Sequence, residues 1–280
     1  MTSTFTRASL AALTATLLCA CGGGGSAQSL ELTPSREEKL ITPDQMLASL
    51  AVALVADDYS QTLIFQLFRS QVMDLYQTQT LSGSYPCKVS GSLKLIREGP
   101  IWRYSAFDCH NINIQLASGS WTLDTSQAAS MGLDLQIKQL VFHKFYSDIP
   151  DMVADGSFSV DKPGAGGLEQ QGRLSLSYGG ETRIYEQIAL SGSFSSGSGS
   201  QQERGLLVSR SPGTPLPLRM QLRQGRLMTV SAADGSNVST DLGSTGDYVL
   251  ELRLSAQGPV VLSRQISRKD LQLAIVKARL

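Results

Sequence analysis

Histidine, charge and aromatic side chains are all scarce in this 280-residue chain. Two histidines are present, His110 and His143, and four cysteines, two of them within the first 21 residues. Clusters of imidazole and thiolate at metal-ligand spacing are therefore not available, and neither a metal nor another cofactor is expected. Charged residues make up 17% of the chain, against roughly 25% in an average domain. Lys+Arg and Asp+Glu both number 24, so the net charge is zero. That balance argues against a nucleic-acid binder working by bulk electrostatics. No Gly-x-Ser-x-Gly elbow and no phosphate-cradling glycine loop occurs. Ser159-Val160-Asp161-Lys162 spells the Ser-x-x-Lys of acyl-transfer enzymes. It falls at the end of an expected strand, where positions i and i+3 point to opposite faces. No catalytic residue is assigned. What is plentiful is apolar sequence (41%) and glycine (26 residues), enough for a sizeable core and unlike a helical bundle.

The chain opens with Arg7 and an apolar run over residues 8–18. That run is shorter than the roughly 20 residues needed to span a bilayer, and it has the layout of a secretory signal. It ends Leu18-Cys19-Ala20-Cys21-Gly22. This resembles the lipobox of bacterial lipoproteins: an aliphatic residue, a tolerated position, a small residue, then the obligatory cysteine. Cys19 departs from the commoner Ala, Ser or Thr. The resemblance covers only about the first 25 residues and implies that the Cys21 thiol carries a diacylglycerol. Cleavage before Cys21 and acylation of the new amino group would follow, giving an anchor of two or more chains. Gly22 occupies the position where Asp would signal inner-membrane retention, so the resemblance implies the outer membrane, with the mature domain periplasmic or surface-exposed. Ordinary signal cleavage after Ala27 is the competing reading. The Gly/Ser spacer at 22–27 favours the lipoprotein, because about 20 flexible residues would hold a domain roughly 25 Å from a surface. The segments are thus a signal peptide at 1–20 and a tether at 21–41, then a two-helix segment at 42–80 and a β domain at 81–280.

Thr42-Pro43-Asp44-Gln45 reads as a helix start, with Thr42 as cap and Gln45 reaching back. A first helix is expected over 43–56, interrupted by Asp57 and Asp58, and a second over 60–79. In the second, Ile64, Leu67, Phe68, Val72, Leu75 and Tyr76 form a helical stripe. Charge is unevenly spread. Residues 29–80 hold three bases and seven acids, and residues 201–280 hold eleven bases and six acids. The two regions are expected to face each other or to be solvated.

From Leu81 the apolar period becomes two. Gly-polar-apolar-polar-apolar recurs from Gly91, Gly119, Gly156 and Gly172, with a truncated copy at Gly192. The irregular spacings (28, 37, 16 and 20 residues) exclude a solenoid or propeller. The fold class expected is mainly β: one antiparallel domain, a curled sheet or a sandwich, preceded by two amphipathic helices. The apolar phase slips near Lys138, between Ile137 and Leu140, which points to a bulge. Residues 161–171, 196–205 and 233–246 read as loops. Ser267-Arg268-Lys269-Asp270 looks like a capping box opening a helix at 268–279, although Leu271, Leu273 and Ile275 also alternate like a strand.

Three hairpins are expected with three-residue loops, Arg97-Glu98-Gly99, Arg223-Gln224-Gly225 and Ala256-Gln257-Gly258. The second would place Met220 opposite Met228, and the third Leu252 opposite Leu262 and Leu254 opposite Val260. The first would place Cys87 opposite Cys109, close enough for a disulfide in an oxidising envelope. Trp102 and Tyr104 alternate with Arg103 on the face opposite Cys109, and are candidates for a sugar- or peptide-binding platform. Asp234, Asp241 and Asp247 share one Gly/Ser-rich stretch but match no calcium loop. These readings favour a non-catalytic structural or interaction protein of the envelope, tied to the membrane by lipid and engaging an envelope protein or an apolar ligand but no nucleic acid. A carrier of lipid or other apolar cargo is the second reading, and a hydrolase with a site assembled in space around His110 or His143 the third.

Overall fold

A run of fourteen antiparallel strands, each paired with the next in sequence, forms one open sheet in the order β1 to β14. The computed structural model describes residues 41–65, 81–110, 115–126, 133–143, 151–160, 168–192, 203–212, 217–224 and 226–280. The expected signal peptide, Cys21, the expected tether before Ile41 and residues 66–80 lie outside them. The strands are β1 (Gly83–Pro86), β2 (Ser90–Glu98), β3 (Ile101–His110), β4 (Gln115–Asp124), β5 (Leu133–Phe142), β6 (Met152–Val160) and β7 (Leu168–Tyr178). They continue with β8 (Glu181–Gly192), β9 (Glu203–Arg210), β10 (Leu218–Arg223), β11 (Leu227–Ala232), β12 (Asn237–Asp241), β13 (Tyr248–Arg253) and β14 (Val260–Ile266). Among the described residues, two α-helices flank the sheet in sequence, α1 (Met46–Phe65) and α2 (Arg268–Arg279). The mainly β, antiparallel reading holds, as one sheet.

The helical segment departs from expectation. Pro43–Gln45 makes a single 3-10 turn, with the Gln45 side chain accepting from the Thr42 N–H at 3.1 Å. α1 then runs unbroken through Asp57 and Asp58. Both carboxylates find cations: Arg204 donates to Asp57 at 3.1 and 3.0 Å, and Arg279 to Asp58 at 3.0 Å. A paired carboxylate leaves the helical backbone undisturbed, so the chain has no reason to break there. These two ion pairs join the described part of the acid-rich segment, on α1, to two cations of the base-rich one. α1 is not amphipathic. Leu50, Ala51, Val52, Ala53, Val55 and Ala56 are consecutive or nearly so, and all are buried. A helix apolar on every side belongs inside a core. It touches each strand from β8 to β13. Twenty residues make about 30 Å of helix, and six strands about 4.8 Å apart span roughly 24 Å, so one helix can cross them all.

α2 starts as expected. The Ser267 hydroxyl accepts from the Asp270 N–H at 3.1 Å, and Asp270 reaches back to Ser267. Arg183, fully buried on β8, donates from Nη2 to the Arg279 carbonyl at the far end of α2 and lies 4.0 Å over the Tyr178 ring. A cation at a helix C-terminus is favourable.

The register shows where the glycine pattern comes from. Gly91 and Gly119 have positive φ and sit at bulges where a Cβ would meet backbone at 2.0 and 2.2 Å. Gly156 and Gly172 lie in the middle of strands: Phe158 is opposite Gly172 and its ring covers it. The slip near Lys138 is a bulge between Ile137 and Leu140, with Gln139 at φ +48. Of the expected loops, residues 161–167 and 196–202 are outside the described residues, but β7 begins at Leu168, β9 at Glu203, and β12 occupies part of 233–246.

The hairpins were displaced in two of three cases. In the first, Glu98 pairs with Ile101 around Gly99-Pro100, a two-residue loop in place of a three-residue one. In the second, Met220 faces Val230 and Leu222 faces Met228; the shift is by two residues, so apolar still faces apolar. In the third, Leu252 faces Leu262 as expected, and a bulge then places Arg253 opposite Val260, the position expected for Leu254. The disulfide between Cys87 and Cys109 is present, with alpha carbons 5.5 Å apart. It arises by another route than direct opposition. The chain turns after β1, with the Cys87 N–H bonded to the Gly91 carbonyl and Val89 N–H to that of His110, and this turn brings Cys87 over β3.

Candidate functional site

Outward side chains of the middle strands line a cleft of about 770 Å³. It lies on the face of the sheet opposite the core. Strand alternation fixes this: Tyr104, Trp121 and Ile137 are buried, and their neighbours Arg103, Ser120, Gln136 and Lys138 therefore project the other way. The pairing aligns these neighbours across strands. One row runs Arg103, Thr122, Gln136, Ser157 and Arg173, from β3 to β7. A second contains Ser105, Ser120 and Lys138, followed on β6 and β7 by Asp155 and Ser175. The floor is thus largely hydroxyl and amide, with cations at both ends and one in the middle, and the exposed Ile96 of β2 beside Arg103.

Bulges shape this face. They interrupt the pairing of β4 with β5, β5 with β6 and β7 with β8. Each adds bend and local twist. The one at Gln139 is held by Asp155, which accepts from the Gln139 backbone N–H at 2.9 Å and from its side-chain amide at 2.8 Å. Asp155 is the only carboxylate lining the cleft among the described residues, and both its oxygens are therefore engaged in holding the wall. At the ends, Arg103 pairs with Glu98 at 3.1 Å and Arg173 with Glu186 at 3.5 Å. Among the described residues, Lys138 makes no ion pair.

Of the residues singled out from sequence, Tyr104 borders the cleft but is buried, and the others lie elsewhere. Trp102 and Tyr104 are in the core, 5% and 1% exposed, with Tyr104 stacked on Trp121 at 5.0 Å between ring centroids. They present no platform. Cys109 lies on the same face as these rings, not opposite. An extra residue in β3, with Asp108 at φ +46, reverses the alternation between Ala106 and Cys109. His143 pairs with Asp151, Nδ1 to Oδ2 at 2.7 Å, in a half-exposed position. Among the described residues no serine or cysteine donates to either histidine. The Ser159 hydroxyl donates to Asp134, across the strand pair. Asp161 and Lys162 lie outside the described residues.

Among the described residues no group of three or more His, Cys, Asp or Glu is placed to hold a metal. Asp234 binds the Ser236 N–H and hydroxyl, Asp241 the Gly243 N–H, and Asp247 the Gln265 amide, so the three aspartates are spent separately. Also among the described residues, no helix is long and apolar enough to cross a membrane. Exposed apolar side chains gather near one edge of the sheet, at Val260, Val261 and Leu262 on β14, and on α2 at Leu273 and Val276.

The cleft residues were visible in the sequence only as polar positions between apolar ones. The signal that they belong together is the shared outward parity of Arg103, Lys138, Arg173 and the intervening serines. It becomes a site only when the register sets them in rows. Comparison with protein-family models, with curated proteins and with solved structures finds no match.

Proposed function

We propose that this chain is an envelope lipoprotein, anchored through Cys21 to the outer membrane, that acts by binding and not by catalysis. The observation that carries the binding part is the polar cleft across β3 to β7, with its hydroxyl floor and its cations at ends and centre. A cleft of this volume is in the range of ligand sites. The anchor rests on Leu18-Cys19-Ala20-Cys21 and the flexible spacer that follows. Among the described residues neither histidine has the hydroxyl or thiol partner that nucleophilic catalysis requires, which favours binding over a hydrolase. A carrier of apolar cargo would put its cavity between helix and sheet, where α1 instead fills the space against β8 to β13.

Metabolic labelling with a fatty acid tests the anchor: the parent chain takes up label and enters the detergent phase, whereas Cys21→Ser takes up none. Label in the Cys21→Ser chain would sink the lipoprotein reading. For the cleft, immobilised protein is incubated with solubilised envelope. The parent chain retains material that Ser120→Trp, a large side chain set on the cleft floor, does not. Equal retention by both removes the cleft as the binding face.

A further inference from the structure

The geometry points to an extended anionic polysaccharide, laid across strands β3 to β7, as the ligand of the cleft; this rests on reading the cleft as the binding face. Length is the first argument. Arg103 and Arg173 stand in one row four strand spacings apart, which at about 4.8 Å each is roughly 19 Å. A compact anion could meet only one of these cations, whereas a chain can meet both and pass Lys138 between them. Charge is the second. Asp155, whose two oxygens are bonded to Gln139, is bound into the wall. Lys138 has no carboxylate partner among the described residues. Glu98 and Glu186 hold Arg103 and Arg173 only through exposed pairs, which are worth little in water and can be exchanged for a ligand anion.

The third argument is the floor. Ser105, Ser120, Thr122, Gln136, Ser157 and Ser175 offer donors and acceptors together. Sugar hydroxyls, which are also both, suit such a surface better than an acidic peptide, whose carboxylates only accept. Single-stranded nucleic acid is read by aromatic side chains on which bases stack. Here the neighbouring rings, Tyr104 and Trp121, face the core.

The test uses the mature lipidated protein in nonionic detergent, titrated calorimetrically with polygalacturonate, dextran sulfate, polyglutamate and uncharged dextran. One or both charged polymers bind, and dextran binds at least about tenfold more weakly, as expected for the loss of one charge-assisted contact. Binding weakens as salt is added. Lys138→Glu lowers affinity for the charged polymer by about tenfold or more without moving the melting temperature. Preference for polygalacturonate identifies carboxylate as the recognised group, and preference for dextran sulfate identifies a sulfate or phosphate ester. Equal binding of dextran overturns the anionic assignment and leaves a sugar-binding cleft. Polyglutamate binding as tightly, with the same dependence on Lys138, overturns the sugar assignment and leaves an anion-binding cleft. Binding unaffected by Lys138→Glu, or no binding of any probe, overturns the inference altogether. The function proposed above is then decided separately by the retention comparison with Ser120→Trp.

Discussion

Two tightly constrained positions are a glycine on β7, Gly172, and an aspartate on α1, Asp57. A Cβ at Gly172 would come within 2.3 Å of both the Phe158 ring and the Ser157 carbonyl oxygen. The ring can rotate, but the backbone oxygen cannot move without shifting β6. Gly172→Ala should therefore destabilise by about 1–3 kcal/mol, the range for overpacked cores. Gly246→Ala, where nothing lies within 4 Å, serves as the control and should stay within about 0.5 kcal/mol of the parent. Denaturant midpoints of the two variants decide it. Asp57 makes a two-pronged pair with Arg204 in a site where the two side chains are only 8% and 15% exposed. Removing one member of a buried pair strands the other charge. Asp57→Asn should cost about 3–5 kcal/mol, read in the same unfolding curves. Neither effect was legible in the sequence. Asp57-Asp58 looked like an interruption because two adjacent acids are poor helix interior residues, and their partners lie over 140 positions away.

At the scale of the element, the disulfide shows how local pattern and register separate. The pairing of Cys87 with Cys109 followed from an assumed three-residue loop, and the real loop is Gly99-Pro100. Continued at that register, β2 would carry Cys87 past Cys109. The β3 bulge and the turn at 87–90 restore the contact. With the cysteines separated by 22 positions in sequence, the bond should stabilise by about 2–4 kcal/mol. Comparing thermal unfolding with and without reductant checks this, and Cys109→Ser should reproduce the reduced value to a first approximation. The same bulge determines that Trp102, Tyr104 and Cys109 share the core face. A single inserted residue changes which side chains are dry, and no alternation read from sequence can locate it unless the apolar phase visibly slips. It does slip after Ile137, and that bulge was legible. β3 gives no such sign, because Phe107 and Asp108 mask the change of phase.

For the whole molecule, the contact between α1 and the sheet sets the response to alkali. Tyr59 on α1 accepts a hydrogen bond from Tyr178 on β7 at 3.3 Å, and their rings meet edge to face. Burial, joined by that hydrogen bond, pushes the Tyr59 phenol well above the usual tyrosine range, and burial pushes Tyr178 and Tyr185 up as well. In the unfolded chain these phenols titrate near pH 10. Above that pH the unfolded state loses protons that the folded state keeps, so stability is present in full below about pH 10 and falls as pH rises beyond it. Stability measured by denaturant at pH values either side of 10 should decline on the alkaline side, and tyrosinate absorbance from these three residues should appear only with unfolding. A Tyr59→Phe chain should show a shallower decline.

The sequence alone determined the class of the fold and most of its punctuation. Period-two alternation requires a half-buried antiparallel strand, a Ser-x-x-Asp box caps a helix whatever surrounds it, and glycines recur where a Cβ cannot be accommodated. These are short-range effects, settled within a few residues of where they are read. The tertiary structure decided the register of two hairpins, the continuity of α1 and the gathering of Arg103, Lys138 and Arg173 around one cleft. Each depends on groups far apart in the chain meeting in space. Polar side chains on the wet face of a strand carry no periodic mark of their own, so only the pairing of β3 through β7 could set them in rows.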